Sequence, residues 1–316
     1  MMKTCEKNLA LIYEYKCHNG YAPDSVNLGD YIQTLAALQF YPSVDEFVDR
    51  DSLSNLNDCG DKAIINGWYH LFDGHLISEN FNPLMVSINV SGFSNEASLD
   101  KVLRSWKRLG PIGCRDKRTV EILKEKGIEA YFSSCLTTTF KKSNNARKGV
   151  VVSDLWFLKS IFEMRGENLF PVNRLIKKKI REFKYSKILK KLILSSCKYS
   201  ADIKYVTHES SFSLTHEERF ERARELLNIY SKAELVITSR IHAALPCLGL
   251  GTPVILVADE KDTSRYQGLE DLFNYIYMKD GVISINLDDQ GQVVNSDAYK
   301  EYAERLTEKC ITYMGG

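Results

Sequence analysis

Two doubly wound, Rossmann-like halves facing a cleft are what this sequence predicts, an α/β fold that rests on three observations. The chain has 316 residues, too many for one small core and enough for two cores of about 150 residues each. Apolar runs rich in valine and isoleucine alternate with helix-period patterns, as in sheets of mostly parallel strands. A polar, turn-prone stretch at residues 141–149 interrupts that alternation near mid-chain. The halves are therefore read as residues 1–145 and 146–316.

In the first half, strands are expected at Leu9–Tyr13, Ala63–Asn66, Leu84–Val90 and Glu129–Phe132. Helical periods fall at Tyr31–Gln39, Ser98–Leu109 and Lys117–Lys126, the last closed by Gly127 as a C-terminal cap. The second half restarts at Gly149–Asp154 and offers strands at Ile203–Thr207, Leu235–Thr238, Pro253–Val257 and Val282–Ile285. Thr215 and Glu218 have the spacing of a capping box, and Phe220, Ala223, Leu227 and Tyr230 behind them share one helix face. A final helix at Asp297–Thr312 is read as packing back on the first half. Folds of this class bind ligands outside the carboxyl ends of their strands, so strand-end side chains are the candidates for chemistry.

Composition narrows the function classes. A net charge of +1 argues against a dedicated nucleic-acid binder, which carries a strong basic excess. No cleavage signature follows the N-terminus, and no run approaches the roughly 18 to 20 apolar residues of a membrane span. The chain is read as cytoplasmic. Its eight cysteines are scattered, without a Cys-x-x-Cys pair, so neither a structural disulfide nor a metal site is expected. Segment 174–191 holds nine basic residues against the single acid Glu182, with Ile176, Ile180 and Phe183 as an apolar stripe. Its ordinary reading is the solvated face of a packed helix. The other is peripheral contact with an anionic membrane surface, which a lipid-linked substrate would favour.

The chemistry concentrates at Ser239-Arg240-Ile241-His242. An apolar strand ends at Thr238, a small-residue helix starts near Ile241, and Gly249 and Gly251 are read as ending that helix before Pro253. A strand-turn-helix at this place delivers Arg240 and His242 to the cleft beside helix amides and a dipole that favour anions. The arginine fork grips phosphate or carboxylate, and the histidine carries a proton near neutral pH. A core histidine beside a surface arginine is the bland alternative.

That turn, followed by Gly251-Thr252-Pro253-Val254-Ile255, resembles the hallmark of polysaccharide pyruvyltransferases. Asn27-Leu28-Gly29-Asp30 and Gly113-Cys114-Arg115-Asp116 are similar to two further family segments, in the same order along residues 20–260. The resemblance implies a glycosyltransferase-B-like pair of domains. It implies transfer of pyruvate from phosphoenolpyruvate onto two hydroxyls of a sugar in a surface polysaccharide or its lipid-linked precursor. A cyclic ketal forms, phosphate leaves, and neither metal nor cofactor is required. Position by position, Arg240 and His242 match the donor-binding pair, with Ser239 and the backbone of Ile241 beside them, and Arg115 matches a further basic residue facing the donor. His242 is then the candidate general acid.

On the acceptor side Asn27, Gly29 and Asp30 have two readings, a helix cap or a role in orienting and activating the sugar hydroxyl. Trp68 and Tyr69 are read as stacking platforms or as core, and His208 and Glu209, at a strand end, as cleft residues or satisfied polar groups. The chain departs from the family at Asn66-Gly67-Trp68-Tyr69-His70 and at Ser133-Ser134-Cys135-Leu136-Thr137, where a glycine-rich turn and an Asp-Pro pair are common. Two rival functions stand: a nucleotide-sugar glycosyltransferase of the same fold, and a non-catalytic protein of polysaccharide assembly. For the first, Glu217 and Glu225 have a suggestive spacing but share a face of an amphipathic helix. Asp49-Arg50-Asp51 resembles a metal-binding Asp-x-Asp, yet is expected to follow a helix rather than a strand.

Overall fold

A computed structural model describes residues 6–15, 25–56, 60–93, 96–155, 202–258, 266–277 and 282–315. The basic segment 174–191 lies outside these residues. The first half contributes β1 (Asn8–Ile12), β2 (Ser25–Asn27), α1 (Leu28–Leu38), β3 (Glu46–Asp49), β4 (Lys62–Leu71), β5 (Leu84–Phe93), α2 (Glu96–Lys107), β6 (Ile112–Cys114), α3 (Lys117–Glu125) and β7 (Ala130–Phe132). The second contributes β8 (Val150–Ser153), β9 (Ile203–Val206), β10 (Glu209–Ser211), α4 (His216–Ser231), β11 (Leu235–Thr238), α5 (Ile241–Leu250), β12 (Val254–Ala258), β13 (Asn274–Tyr277), β14 (Val282–Ser284) and α6 (Tyr299–Gly315).

The fold is α/β, with two doubly wound, Rossmann-like sheets. The first is ordered β3-β1-β4-β5-β6-β7 and is parallel throughout. The second runs β14-β13-β12-β11-β8-β9, with only β14 antiparallel. Strand order reverses beside β1 in one sheet and beside β8 in the other. The crevices β1/β4 and β8/β11 are therefore the topological switch points where such sheets take ligands.

The halves are not separate bodies. β2 pairs antiparallel with β10, and the Leu28 amide at the start of α1 donates to the His208 carbonyl at 2.7 Å. Behind this strap one apolar cluster joins Tyr31, Ile32 and Leu35 of α1 to Phe220 and Ala223 of α4 and Leu245 of α5. α6 lies on the first sheet, burying Leu306, Cys310 and Met314 against Ala37, Ile64 and Val86. The stretch 141–149 is held to the second half, Arg147 donating to the carbonyls of Leu250 and Gly251.

Several elements differ from the sequence expectation. β4 continues five residues past Asn66, because Gly67 at φ 112 absorbs a register shift that any side chain would strain. Gly249 lies inside α5 rather than ending it; a Cβ there would sit 2.6 Å from the Thr138 carbonyl oxygen, so glycine allows that helix its close approach. Gly251, at φ 68, is the terminator. Asp49 closes strand β3, so the Asp49-Arg50-Asp51 run follows a strand after all. Among the described residues no cluster of His, Cys, Asp or Glu is arranged to hold a metal, and no helix is long and apolar enough to cross a membrane.

Candidate active site

The second-half side of the site is built at the β8/β11 crevice. β11 stops at Thr238, whose hydroxyl accepts the Arg240 amide at 2.9 Å, and the Ser239 hydroxyl donates to the Asp154 carbonyl at the end of β8. Arg240 is extended (φ −100, ψ 125) and opens α5 without a side-chain cap or an acid in the first turn. The amides of Ile241 and His242 thus precede any intrahelical acceptor, and together with the dipole they make an anion-receptive end. The Arg240 guanidinium is fixed by two carboxylates, Asp154 at 3.2 Å and Glu209 at 3.5 Å, yet stays 35% exposed. Asp154 holds a left-handed backbone (φ 43) and also accepts the His208 amide and the Thr207 hydroxyl, each at 2.7 Å.

The first half supplies the opposite wall. Arg115 follows β6, its amide bonded to the Ile88 carbonyl at 2.7 Å, and its side chain is buried. Next to it Asp116 caps α3 through the Thr119 amide at 2.9 Å and accepts from Asn89 at 2.7 Å. Arg115 Nη1 lies 3.5 Å from His242 Nε2, a contact that joins the two halves. A guanidinium only donates, so Nε2 is the acceptor and the ring proton sits on Nδ1. That nitrogen faces the first turn of α1. A Cβ on Gly29 would stand 3.1 Å from it and equally close to the Asn27 side chain, whose Oδ1 accepts the Gly29 amide. Gly29 is small because an imidazole occupies the space.

Five residues named from sequence, Asn27, Gly29, Arg115, Arg240 and His242, thus gather where two helix starts meet. Asp30 is close by, taking the Tyr15 hydroxyl at 2.5 Å, Gln33 at 3.2 Å and Arg50 at 3.4 Å. Trp68 is 40% exposed and sits near Arg50 at the rim of the β1/β4 crevice. His208 does not line the cleft. Its ring is fully buried, Nε2 lies 2.7 Å from the Tyr230 hydroxyl, and burial, with Arg240 adding to it against Asp154, brings its pKa down to about 4. Its carbonyl and amide tie the strap instead. Sequence reasoning missed Asp154 and Arg50 as site residues; the strand-ending Ser153-Asp154 and Asp49-Arg50 were the available signals. Glu217 and Glu225 are exposed on α4.

Two arginines, an imidazole and an uncapped helix start thus gather at the junction of two largely parallel sheets, an arrangement chemically suited to a small anion. The chain belongs to the polysaccharide pyruvyl transferase family, whose model matches residues 27–260, and so is a pyruvyl-group transferase acting on polysaccharide. No curated protein matches it. Among solved structures it is similar to a UDP-N-acetylglucosamine 2-epimerase at 10% identity and a TM-score of 0.41, over 98% of this chain and 96% of that one.

Proposed function

We propose that the protein moves pyruvate from phosphoenolpyruvate onto two hydroxyls of one sugar of a cytoplasmic, lipid-linked polysaccharide precursor, leaving a cyclic ketal and inorganic phosphate. The observation that carries this reading is the 3.5 Å approach of Arg115 to His242, with Arg240 on the same turn. Phosphoenolpyruvate brings a carboxylate and a phosphate. Two guanidiniums and the amide end of α5, which has no side-chain cap, suit both groups, and Ser239 holds the turn. An anion bound beside Arg115 and the ring offsets the guanidinium charge, which favours the doubly protonated imidazole as the donor to the methylene carbon. The guanidiniums then stabilise the departing phosphate. On the acceptor side, Trp68 offers an exposed face for the sugar ring, and Asn27 with Gly29 shapes the floor.

Thermal melting tests the donor: phosphoenolpyruvate raises the melting temperature and uridine or guanosine diphosphate-sugars do not. The opposite pattern means a glycosyltransferase, and no shift from either means an assembly protein. His242→Ala lowers phosphate release by about 10²-fold or more, while the melting shift with phosphoenolpyruvate persists. Turnover near wild type in that variant removes His242 from the mechanism. Arg240→Ala weakens the donor's melting shift, and an unchanged shift counts against its assignment.

A further inference from the structure

The β1/β4 switch point of the first sheet holds a second cluster of charge that the donor site does not use. It surrounds a cavity of about 10 Å³ bordered by Tyr13, Asp30, Gln33, Arg50, Asn66 and Gly67, room for one water or one hydroxyl group. Arg50 is only 5% exposed. Its guanidinium stacks on Tyr13 with 4.2 Å to the ring centre and reaches Asp30 at 3.4 Å. Among the described residues its Nε has no hydrogen-bond acceptor, and Asp51 Oδ1 stands 3.9 Å from it. Burial opposes the Arg50 charge, but Asp30 and its other neighbours outweigh it. Tyr15, strained at φ 53, aims its hydroxyl at the other Asp30 oxygen. Burial first, then the Asp30 charge, push this phenol far above its ordinary pKa, so it stays a donor.

We propose that Asp30 is the acceptor-side base of the pyruvyl transfer and that Arg50 is the residue that positions it. The inference rests on the pyruvyltransferase reading and adds the proton acceptor that reading lacks. Asp30 is itself engaged by Tyr15, Gln33 and Arg50, but the other carboxylates near the donor hold a helix cap or the donor-side Arg240. Asp116 is fully buried as the cap of α3, while Asp154 and Glu209 hold Arg240. Asp30 keeps 15% of its side chain exposed, follows the glycine that packs on His242, and borders a hydroxyl-sized space.

The balance of the reaction requires such a group. The first sugar oxygen bonds to C2 of phosphoenolpyruvate as the C2–C3 π pair takes a proton at C3 from His242, and Asp30 accepts the hydroxyl proton. The C2–O bond to phosphate then breaks with its electron pair, Asp30 gives up its proton through solvent to the departing phosphate, and the second sugar oxygen closes the ring, losing its own proton to Asp30. Of the two protons lost by the hydroxyls, one replaces the proton that went into the new methyl group. The other leaves on hydrogen phosphate.

The test uses the full chain and phosphate release with a nitrophenyl glycoside, chosen from a panel offering 1,2- and 1,3-diols as the best wild-type substrate. Asp30→Asn should lower kcat by about 10²-fold or more while its melting shift with phosphoenolpyruvate matches wild type. Arg50→Met should lower kcat at unchanged KM for phosphoenolpyruvate, and Arg50→Lys, keeping the charge, should recover about tenfold of that loss at a melting temperature like that of Arg50→Met. Asp30→Asn turnover within about threefold of wild type, or loss of its donor shift, overturns the assignment of Asp30. Arg50→Lys no faster than Arg50→Met overturns the positioning role. A wild type that phosphoenolpyruvate fails to stabilise sinks the pyruvyltransferase reading itself, and this inference with it.

Discussion

At His208 a single side chain couples stability to pH. Its neutral ring is sealed beside the Tyr230 hydroxyl, and its pKa is about 4 in the fold against about 6.5 in an unfolded chain. Between those values the unfolded state binds the extra proton and the native state does not, so stability rises with pH across the window. The contribution is complete above about pH 6.5 and is lost as pH falls towards 4, by up to about 3 kcal/mol. Urea midpoints at pH 7, 6 and 5 should therefore fall more steeply for wild type than for His208→Gln. Equal slopes would mean that the ring titrates freely in the fold. Gly29 acts at the same scale through shape rather than charge. Gly29→Ala places a methyl 3.1 Å from His242 Nδ1 and from the Asn27 side chain, so the ring must shift by a few tenths of an ångström against its Arg115 contact. With His242 as the proposed general acid, phosphate release should fall about tenfold or more while melting temperature changes little, because one angle of that ring is what shifts.

Elements show which parts of the fold were legible in sequence. Leu235–Thr238 matches β11 residue for residue, and the Thr215–Glu218 capping box closes with 2.8 Å and 3.3 Å bonds, because apolar runs and caps are local features. β2, β6 and β10 are three residues each, too short to show a period. β2 and β10 exist because each finds the other across the halves, information that no window of sequence contains. The site follows the same division. Arg240 and His242 were visible on one turn, and Arg115 through its motif. Glu209 was visible as a strand-end candidate, whereas Asp154 and Arg50 acquire their roles from a contact 86 residues away and from a buried charge pair, where single-residue signals vanish. α5 offers the element's own test. A Cβ at Gly249 meets carbonyl oxygens of Thr138 and Phe140 at 2.6 and 2.7 Å. Both are backbone atoms and cannot swing away. Gly249→Ala should therefore destabilise by about 1–3 kcal/mol despite the better helix propensity of alanine, as measured by urea denaturation. A neutral or stabilising result would mean that propensity outweighs the clash.

At the scale of the whole molecule, the apolar core decides how the halves behave. In an open two-domain protein each sheet would carry its own core, and the cleft between them would be polar and free to close. In this chain α1 belongs by sequence to the first half, yet Tyr31, Ile32 and Leu35 are buried in the same cluster as Phe220, Ala223, Ile241 and Leu245. Buried Arg219 crosses the boundary as well, donating to the Tyr31 hydroxyl at 2.9 Å. α6 returns from the far end of the chain to cover the first sheet, its Tyr313 hydroxyl accepting the Ala63 amide at 3.0 Å. Cutting at the polar stretch 141–149 would therefore expose apolar faces on both pieces and strip the first sheet of α6. The intact chain should unfold in one cooperative step, with far- and near-ultraviolet dichroism giving coincident urea transitions, and residues 146–316 expressed alone should lack a cooperative transition. Two resolved transitions in the intact chain would show that the shared cluster is too weak to couple the sheets. The coupling also bears on function, since Arg115 and His242 come from opposite halves and their 3.5 Å contact needs no domain closure to form. With the donor proposed above bound at this pre-assembled contact, phosphoenolpyruvate should leave the radius of gyration unchanged in solution scattering. A contraction on binding would instead place the assembly of the site after substrate capture.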